Sequence, residues 1–195
     1  LGTKLLNASK FVLSFGTPPD DATATEPLDR AMAARLDGVV AASSKALEAY
    51  DYAGALEQIE SFFWWFCDDY VELVKSRAYG THGEPGATSA LAALRLALGT
   101  LHRLFAPFLP FVTDEVWSWW QTGSVHAQKW PAVDGSWGDE SLLGPVSDVL
   151  AAVRRAKTEA KASQKADIAL LAVHAPEATH SVIATAERDT SQPQY

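Results

Sequence analysis

The segment that most limits the possible folds is a run of six apolar residues from Phe62 to Cys67, five of which are aromatic. Asp68 and Asp69 follow directly and end the run. A membrane-spanning helix needs about 20 mostly apolar residues, so this run is too short to cross a bilayer. Such a density of aromatic rings instead indicates a segment that lies in the core of a folded domain.

The residues around this run repeat with helical spacing. At 100° per residue, one face of a helix over about 53–78 collects seven apolar residues: Leu56, Ile59, Phe63, Phe66, Cys67, Tyr70 and Val74. Trp65 falls nearly opposite, beside Gln58 and Glu72. Because the helix is apolar on more than one side, we expect it to be central or covered by a second layer.

Helical periodicity also dominates the rest of the first 143 residues. Thr88 or Ser89 is the predicted N-cap of a helix that ends near 105. Thr113 is the predicted N-cap of a short helix with Asp114 and Glu115 in its first turn. Two further helices are predicted over about 1–15 and 28–50. The fold class is therefore mainly α, with a helical bundle over residues 1–143.

The pattern changes after residue 143, and we predict that residues 144–195 begin a small, partial α/β module. A basic amphipathic helix over about 145–163 precedes a short apolar stretch, Asp167 to His174, which predicts a buried strand. A last helix is expected over 176–188. A lone strand needs a ladder partner, which we expect beyond Tyr195. The sequence leaves open whether residues 166–195 are ordered.

The first predicted helix carries the sharpest functional signal. Lys4, Asn7 and Phe11 fall within about 60° of one another on a face away from the leucines, with Lys10 alongside. An aromatic ring framed by lysines and an amide suits single-stranded nucleic acid, because the ring stacks on bases and the lysines contact phosphates. The alternative is that Phe11 packs under a neighbouring loop and the lysines are ordinary surface charges.

Two weaker signals could add to an RNA-binding surface. Arg95, Gly99 and His102 share one face of a helix, where the glycine permits close approach. The segment from Arg154 and Arg155 to Lys165 contains five basic residues against one acid and could contact a phosphate backbone. In both cases the alternative is a solvated helix face.

Composition narrows the classes of function. The net charge of −8 argues against wholesale nucleic-acid binding, so any RNA contact must be local. The single cysteine, Cys67, excludes an internal disulfide and a multi-cysteine zinc site, and we expect no metal. It also fits a reducing, cytoplasmic environment. Asp68 and Asp69 point about 100° apart on a helix, which is poor geometry for paired catalytic carboxylates, so no catalytic residue is predicted.

Several segments resemble, in order, the anticodon-binding helical domain of class I aminoacyl-tRNA synthetases. They are "GTKLLNASKFVL", "FFWWFCDDYVELVKSRAY" and "LHRLFAPFLPFVTDEVWSWW", followed by "GSVH" and "WP". Within that family the chain is most similar to the valyl enzymes over roughly residues 1–165. The alternatives are the same domain of an isoleucyl or leucyl enzyme, or a helical protein–protein interaction bundle that uses Trp64, Trp65 or Trp117–Trp120.

The resemblance implies a role in positioning tRNA. The tRNA-binding residues would be Lys4, Asn7, Lys10, Phe11, Arg95, His102, Arg154 and Arg155, of which only those of the first helix match the family's contacts. The partners would be the anticodon stem-loop of valine tRNA and the catalytic and editing domains of the same polypeptide. The family's two ATP-site signature peptides do not occur here, so this segment should need no cofactor, while the parent would use ATP and Mg²⁺. We expect the segment to be monomeric.

Overall fold

The computed structural model describes residues 1–81, 83–163, 166 and 170–184. These residues form the following α-helices: α1 (Gly2–Ser14), α2 (Pro27–Glu48), α3 (Tyr52–Trp65), α4 (Val71–Ala78), α5 (Glu84–Phe105), α6 (Pro110–Trp117), α7 (Leu143–Glu159) and α8 (Glu177–Ala184). A π turn, Phe66–Tyr70, joins α3 to α4, and a 3-10 turn, Val125–Ala127, follows α6. The predicted mainly α class is confirmed. No helix in the described ranges is long and apolar enough to cross a membrane.

The described helices enclose a main apolar core, and a smaller apolar cluster lies around Trp117 and Val125. α2 packs chiefly against α3 and α5, α4 packs against α5, and α1 lies against α5 and α6. Buried apolar residues from α1 to α5 form one continuous cluster, which α7 joins through Leu143, Val146 and Leu150. The first half of α7 therefore packs on the bundle, although residue 144 opens the segment that the sequence assigns to a second module. The boundary between the two modules stays a prediction.

The aromatic run lies at the centre of this core, as its spacing predicted. Phe63 and Phe66 are each 1% exposed. Burying such a side chain contributes roughly 1.5–3 kcal/mol. Trp65, on the opposite side of the helix, is also covered: its Nε1 donates to Ser147 Oγ of α7 at 3.0 Å, and the Arg35 guanidinium lies 4.4 Å from its ring centroid. The expected second layer is thus α7 together with Arg35.

The helix predicted over 53–78 is interrupted by the π turn at Phe66–Tyr70. A π turn inserts one residue beyond the α-helical repeat, and such turns are frequent at functional sites. Tyr70 remains fully buried, whereas Asp68 and Asp69 project outward and bind residues of two other helices. The turn thus changes the helical phase between α3 and α4 and presents two carboxylates to their neighbours.

A buried polar network that the sequence analysis did not find connects three helices. The Asp29 carboxylate of α2 accepts two hydrogen bonds from Arg77 of α4, at 2.7 and 2.8 Å. The hydroxyls of Tyr70 and Ser89 donate to the same carboxylate at 2.7 and 2.5 Å. Asp29 is 0% and Arg77 1% exposed. Since both charges are removed from water, each depends on the other for its stability in the core.

The network extends to the loop before α2 and to the start of α5. The Ser89 oxygen accepts hydrogen bonds from the backbone N–H groups of Thr25 and Glu26, both at 2.9 Å. Arg77 also donates to the carbonyl of Gly86 at 3.1 Å. A Cβ at Gly86 would lie 3.1 Å from Arg77 Cδ, so the absence of a side chain there permits the approach. One ion pair therefore fixes α2, α4, α5 and a loop relative to one another.

Both predicted N-caps are wrong. α5 begins at Glu84, so Thr88 and Ser89 lie inside the helix rather than at its start. α6 begins at Pro110, and the Thr113 hydroxyl donates to the Leu109 carbonyl at 2.8 Å as an interior residue. A proline lies in the first turn of each helix, where its fixed φ favours helix initiation and its missing N–H costs nothing. Each helix therefore begins at or next to its proline, several residues before the serine or threonine that was predicted as its N-cap.

The predicted strand is not found where the structure describes the chain. Residues 170–175 belong to no helix or strand, while residues 167–169 of the predicted strand lie outside the described residues. A strand requires a ladder partner, and none is present in the described ranges. α8 lies within the helix predicted over 176–188, of which residues 185–188 are likewise outside the described set, and it packs against α7.

We predict that Asp29→Asn lowers the free energy of unfolding by about 3–5 kcal/mol, because it leaves the buried Arg77 without its counter-ion. Urea unfolding followed by far-UV circular dichroism measures the change. The matched control is Asp37→Asn on the same helix, where the carboxylate accepts surface hydrogen bonds from the Asp134 and Gly135 N–H groups. There we expect a loss of at most about 1 kcal/mol. Equal losses in the two variants would contradict the role assigned to Asp29.

Candidate nucleic-acid interface

The face of α1 singled out in the sequence is at the surface. Leu5, Ser9 and Val12 are buried and hold the helix on α5 and α6. Asn7 and Lys10 are exposed, and Phe11 is 38% exposed, a large value for a phenylalanine. The alternative in which Phe11 is sealed under a loop is therefore excluded, and its ring is accessible to a partner.

Phe11 is one end of a row of three aromatic rings. Its ring centroid lies 4.8 Å from that of Phe15 in an edge-to-face arrangement, and Phe15 packs the same way, also at 4.8 Å, on Tyr79 at the end of α4. Such pairs are favourable beyond the area they bury. Tyr79 is 63% exposed. We call Phe11, Phe15 and Tyr79 the aromatic row, and it extends the candidate face from α1 to α4.

Lys4 lies about two helical turns before Phe11 on α1 and already has partners. Its Nζ lies 2.9 Å from Asp68 Oδ1 of the π turn and 5.2 Å from the ring centroid of Trp64. Lys10 directly precedes Phe11 in the chain, and its Nζ lies 5.6 Å from the ring centroid of Trp119. Both ammonium groups are thus held over tryptophan rings, which limits the conformations they sample before a ligand arrives.

The π turn also binds the basic segment of α7. Arg154 Nη1 donates to Asp69 Oδ1 at 2.8 Å, and Nη2 donates to the Asp68 carbonyl oxygen. Arg155, the next residue, is exposed. One turn therefore holds Lys4 of α1 and Arg154 of α7 at the same time. The two basic segments, 150 residues apart in sequence, adjoin one structural element.

His102 must be withdrawn as a residue that touches RNA, because it is 0% exposed. Burial lowers the pKa of its imidazole to about 3, so the ring is neutral. The Ser9 hydroxyl donates its proton to the Leu5 carbonyl at 2.7 Å and therefore accepts from His102 Nε2–H at 3.0 Å. His102 is a packing residue that links α5 to α1.

Arg95 and Gly99, from the same predicted face, pack against Trp120. The Arg95 guanidinium carbon lies 5.3 Å from the Trp120 ring centroid, and Nη2 donates to the Gly16 carbonyl at 2.7 Å. A Cβ at Gly99 would lie 3.3 Å from Trp120 Cη2. The predicted close approach is therefore made by Trp120 rather than by RNA. Arg95 remains partly exposed and available at its rim.

Some members of this surface were not identified from the sequence. Phe15 follows Phe11 by four residues, so helical spacing could have placed the two rings side by side. Helical spacing gives no such signal for Tyr79, Trp119 or the Asp68 carboxylate, because these groups reach α1 only through tertiary packing. Together with the lysines of α1, these residues form a partly exposed surface of aromatic rings and cations, a chemistry that suits unpaired bases and phosphates.

The helical bundle and this surface define the class of protein. A family model described as the anticodon-binding domain of tRNA ligase matches residues 29–173, about three quarters of the chain. The chain therefore belongs to this family, in agreement with the resemblance found in the sequence. The match begins within α2, so α1 lies ahead of the matched residues.

Several similar curated proteins are valine–tRNA ligases. That of Salinispora arenicola is 51% identical over 97% of this chain, and the match covers 25% of its own length. That of Thermobifida fusca is 54% identical over 91% of the chain and 21% of its length. That of Cutibacterium acnes is 45% identical over 98% of the chain and 22% of its length. The chain thus spans about a quarter of these relatives.

We predict that the stability of the protein falls on acidification in a way that depends on His102. Its pKa is lower in the folded protein than its usual value of 6.5, so the unfolded chain takes up a proton first as the pH falls. Stability from this residue is complete well above pH 6.5 and declines towards pH 3, by about 2 kcal/mol between pH 7.5 and pH 5.

The measurement is urea unfolding at several pH values for the parent chain and for His102→Gln. Because the other four histidines are the same in both, the difference between the two curves isolates His102. We expect a flatter pH dependence in the variant over pH 5–6.5. Parallel curves would show that His102 is protonated equally in the folded and unfolded states.

Proposed function

We propose that this chain binds the anticodon stem-loop of valine tRNA as part of a valine–tRNA ligase. The family and the names of the relatives support a tRNA partner and valine specificity. The structural observation that carries the proposal is the exposure of Phe11 at the end of an aromatic row, on the helix that also carries Lys4 and Lys10. An anticodon loop presents unpaired bases, which are the groups that such a surface can stack.

Binding would combine stacking with local charge. The ring of Phe11 offers a face to one base, Asn7 lies one helical turn away with an amide that can bond to a base edge or a sugar, and the lysines reach phosphates. Arg154 and Arg155 of α7 would contact the backbone further along the RNA. Because the whole chain carries a net charge of −8, the attraction is confined to this surface, and binding should weaken steeply with salt.

The contribution to the ligase would be orientation and discrimination. Holding the anticodon loop fixes the direction of the tRNA relative to the other domains of the polypeptide. A wrong anticodon would leave buried polar groups unpaired, which weakens binding of the wrong tRNA. The ATP- and Mg²⁺-dependent joining of valine would belong to the catalytic domain of the parent, and the proposal assigns this chain neither reaction nor cofactor. Under this proposal the chain acts as a monomer in the cytoplasm.

The protein–protein bundle is less well supported by the surface. Of the tryptophans that would form its contact area, Trp65 and Trp117 are covered by the protein itself. Trp64 and Trp119 are each 39% exposed, and each has a lysine ammonium over its ring. Rings that are capped by cations present charge rather than a continuous apolar patch, so this surface fits a polyanion better than an apolar partner.

We predict that Phe11→Ala combined with Lys4→Ala weakens binding to an RNA hairpin with the valine anticodon by at least about tenfold at low salt. The change removes one stacking ring and one phosphate contact. Fluorescence anisotropy with a labelled hairpin measures the dissociation constant. The slope of log affinity against log salt should fall in magnitude by about 0.7–1, the contribution of one phosphate contact.

The control for this experiment is Tyr52→Ala combined with Lys45→Ala. Both residues are exposed and lie at the turn between α2 and α3. Tyr52 is twelve residues from Trp64 along α3, or about 18 Å of helix, so the control site is remote from Lys4. It should bind the hairpin like the parent chain. If both double variants bind as well as the parent, α1 is not the RNA-binding face.

We further predict that Asp68→Asn strengthens hairpin binding up to about fivefold at low salt. Lys4 is held by the Asp68 carboxylate, and a phosphate must replace that contact, whose strength at an exposed site is at most about 1 kcal/mol. Asp148→Asn, an exposed acid on α7, removes the same charge elsewhere and serves as the control. Equal gains in the two variants would attribute the effect to net charge alone.

A further inference from the structure

A cavity of about 540 Å³ lies beside the candidate interface and is not explained by the contacts described so far. It is formed between the end of α1, the loop that follows it, the first half of α5 and the turn after α6. Its lining includes Leu13, Asp20, Arg95, Trp119, Trp120 and Gln121. Leu13 is part of α1, so the cavity adjoins the helix that carries Phe11 and Lys10.

One wall of the cavity is formed by Arg95 and Trp120. Arg95 Nη2 is fixed on the Gly16 carbonyl at 2.7 Å, but the buried Nε has no partner among the described residues. Trp120 Nε1 is also buried without a hydrogen-bond partner among the described residues. Because both N–H groups are enclosed by the protein, neither faces the cavity. The Arg95 guanidinium, stacked 5.3 Å from the Trp120 ring centroid, is a fixed planar cation at this wall.

A second wall provides an aromatic surface with a fixed orientation. Trp119 Nε1 donates to Glu115 Oε1 at 3.0 Å, which restricts rotation of the indole, and the ring is still 39% exposed. Lys10 Nζ lies 5.6 Å from the ring centroid, so the cavity and the α1 face share a cation. A ring that is held in place and partly exposed can stack a planar ligand at little cost in side-chain entropy.

The rim of the cavity can discriminate among planar ligands. Asp20 offers carboxylate acceptors and Gln121 offers an amide that both donates and accepts, and both residues are exposed. These are the groups with which proteins recognise the amino and ring-nitrogen edges of bases. A simple phosphate site would not place a carboxylate at its rim, because the two anions repel each other.

We propose that this cavity takes one unpaired nucleobase of the bound RNA, stacked on Trp119 and read along its edge by Asp20, Gln121 and Arg95. The inference rests on the proposed RNA-binding function and adds a second, separate base site to the one at Phe11. A volume of about 540 Å³ lies within the usual range for a pocket that holds one small ligand. A base that enters it must leave the stack, as bases of single-stranded loops do.

The test is a double-mutant cycle between protein and RNA. Anticodon hairpins with an abasic site at each loop position in turn are titrated with the 195-residue chain, with Trp119→Ala and with Phe11→Ala. At one position the abasic site should weaken binding to the parent chain roughly 5- to 150-fold, the range for loss of one stacked base. The same abasic site should change binding to Trp119→Ala little, and the position should differ from the one coupled to Phe11.

Two further variants separate recognition from folding. Trp130→Ala is the matched control, since Trp130 is also a partly exposed indole with one side-chain hydrogen bond, to Ser44, and it should leave the abasic profile unchanged. Asp20→Asn with Gln121→Ala alters only exposed rim groups. This double variant should change the preference among the four bases at the coupled position. That measurement remains possible even if Trp119→Ala folds poorly.

The outcomes distinguish this inference from the proposed function. If the parent chain binds the hairpins and only Phe11 shows coupling, the cavity holds no base and the inference is wrong, while the proposed function stands. The same holds if Trp119→Ala strengthens binding uniformly, which would indicate that a segment of protein occupies the cavity. If the parent chain binds none of the hairpins, the proposed function fails and this inference fails with it.

Discussion

The structure depends on the buried ion pair between Asp29 and Arg77. Two charges that are 0% and 1% exposed are tolerated only because the carboxylate accepts four hydrogen bonds and the guanidinium is matched in a bidentate arrangement. A hydrophobic core alone would permit the helices to slide or rotate, since apolar contacts have no preferred direction. The ion pair specifies one arrangement, and Tyr79 of the aromatic row lies two residues beyond Arg77. The buried network thus helps to fix the position of the aromatic row.

The two carboxylates of the π turn have the opposite role. Asp68 and Asp69 lie near the surface and hold Lys4 and Arg154, whose own exposure is about a third. Pairs of this kind contribute little stability, but they keep long basic side chains near a chosen place. RNA that approaches this surface meets cations already grouped around one turn and replaces carboxylate with phosphate. The affinity for RNA is then limited by the difference in free energy between the cation–phosphate and the cation–carboxylate contacts, rather than by the number of lysines.

Much of the fold followed from periodicity, and the failures have identifiable causes. The stripe from Ile59 to Val74 predicted a central helix correctly because a continuous apolar face has few other uses. The exposure of Phe11 followed from its position opposite the leucines. His102 was misjudged because a histidine on a mixed face can be buried when a neighbour such as Ser9 accepts a hydrogen bond from its ring N–H. The pairing of Asp29 with Arg77, 48 residues apart, produces no local sequence pattern from which it could be predicted. The same is true of the cavity beside Trp119. Sequence patterns report which face a residue occupies, whereas tertiary contacts decide what it meets there.

The π turn has a consequence for how this chain can vary. If Phe66–Tyr70 became α-helical with no change in length, everything after it would rotate by about 100° relative to α3, because a π turn absorbs one residue more than α-helical turns do. Arg77 would then point away from Asp29, and Tyr79 away from Phe15, in a single step. Removal of one residue from the turn would compensate, because an α-helix that is one residue shorter keeps Arg77 and Tyr79 on nearly the same faces. The length and the hydrogen-bond pattern of this five-residue segment must therefore change together if the interior and the outer surface are both to be kept.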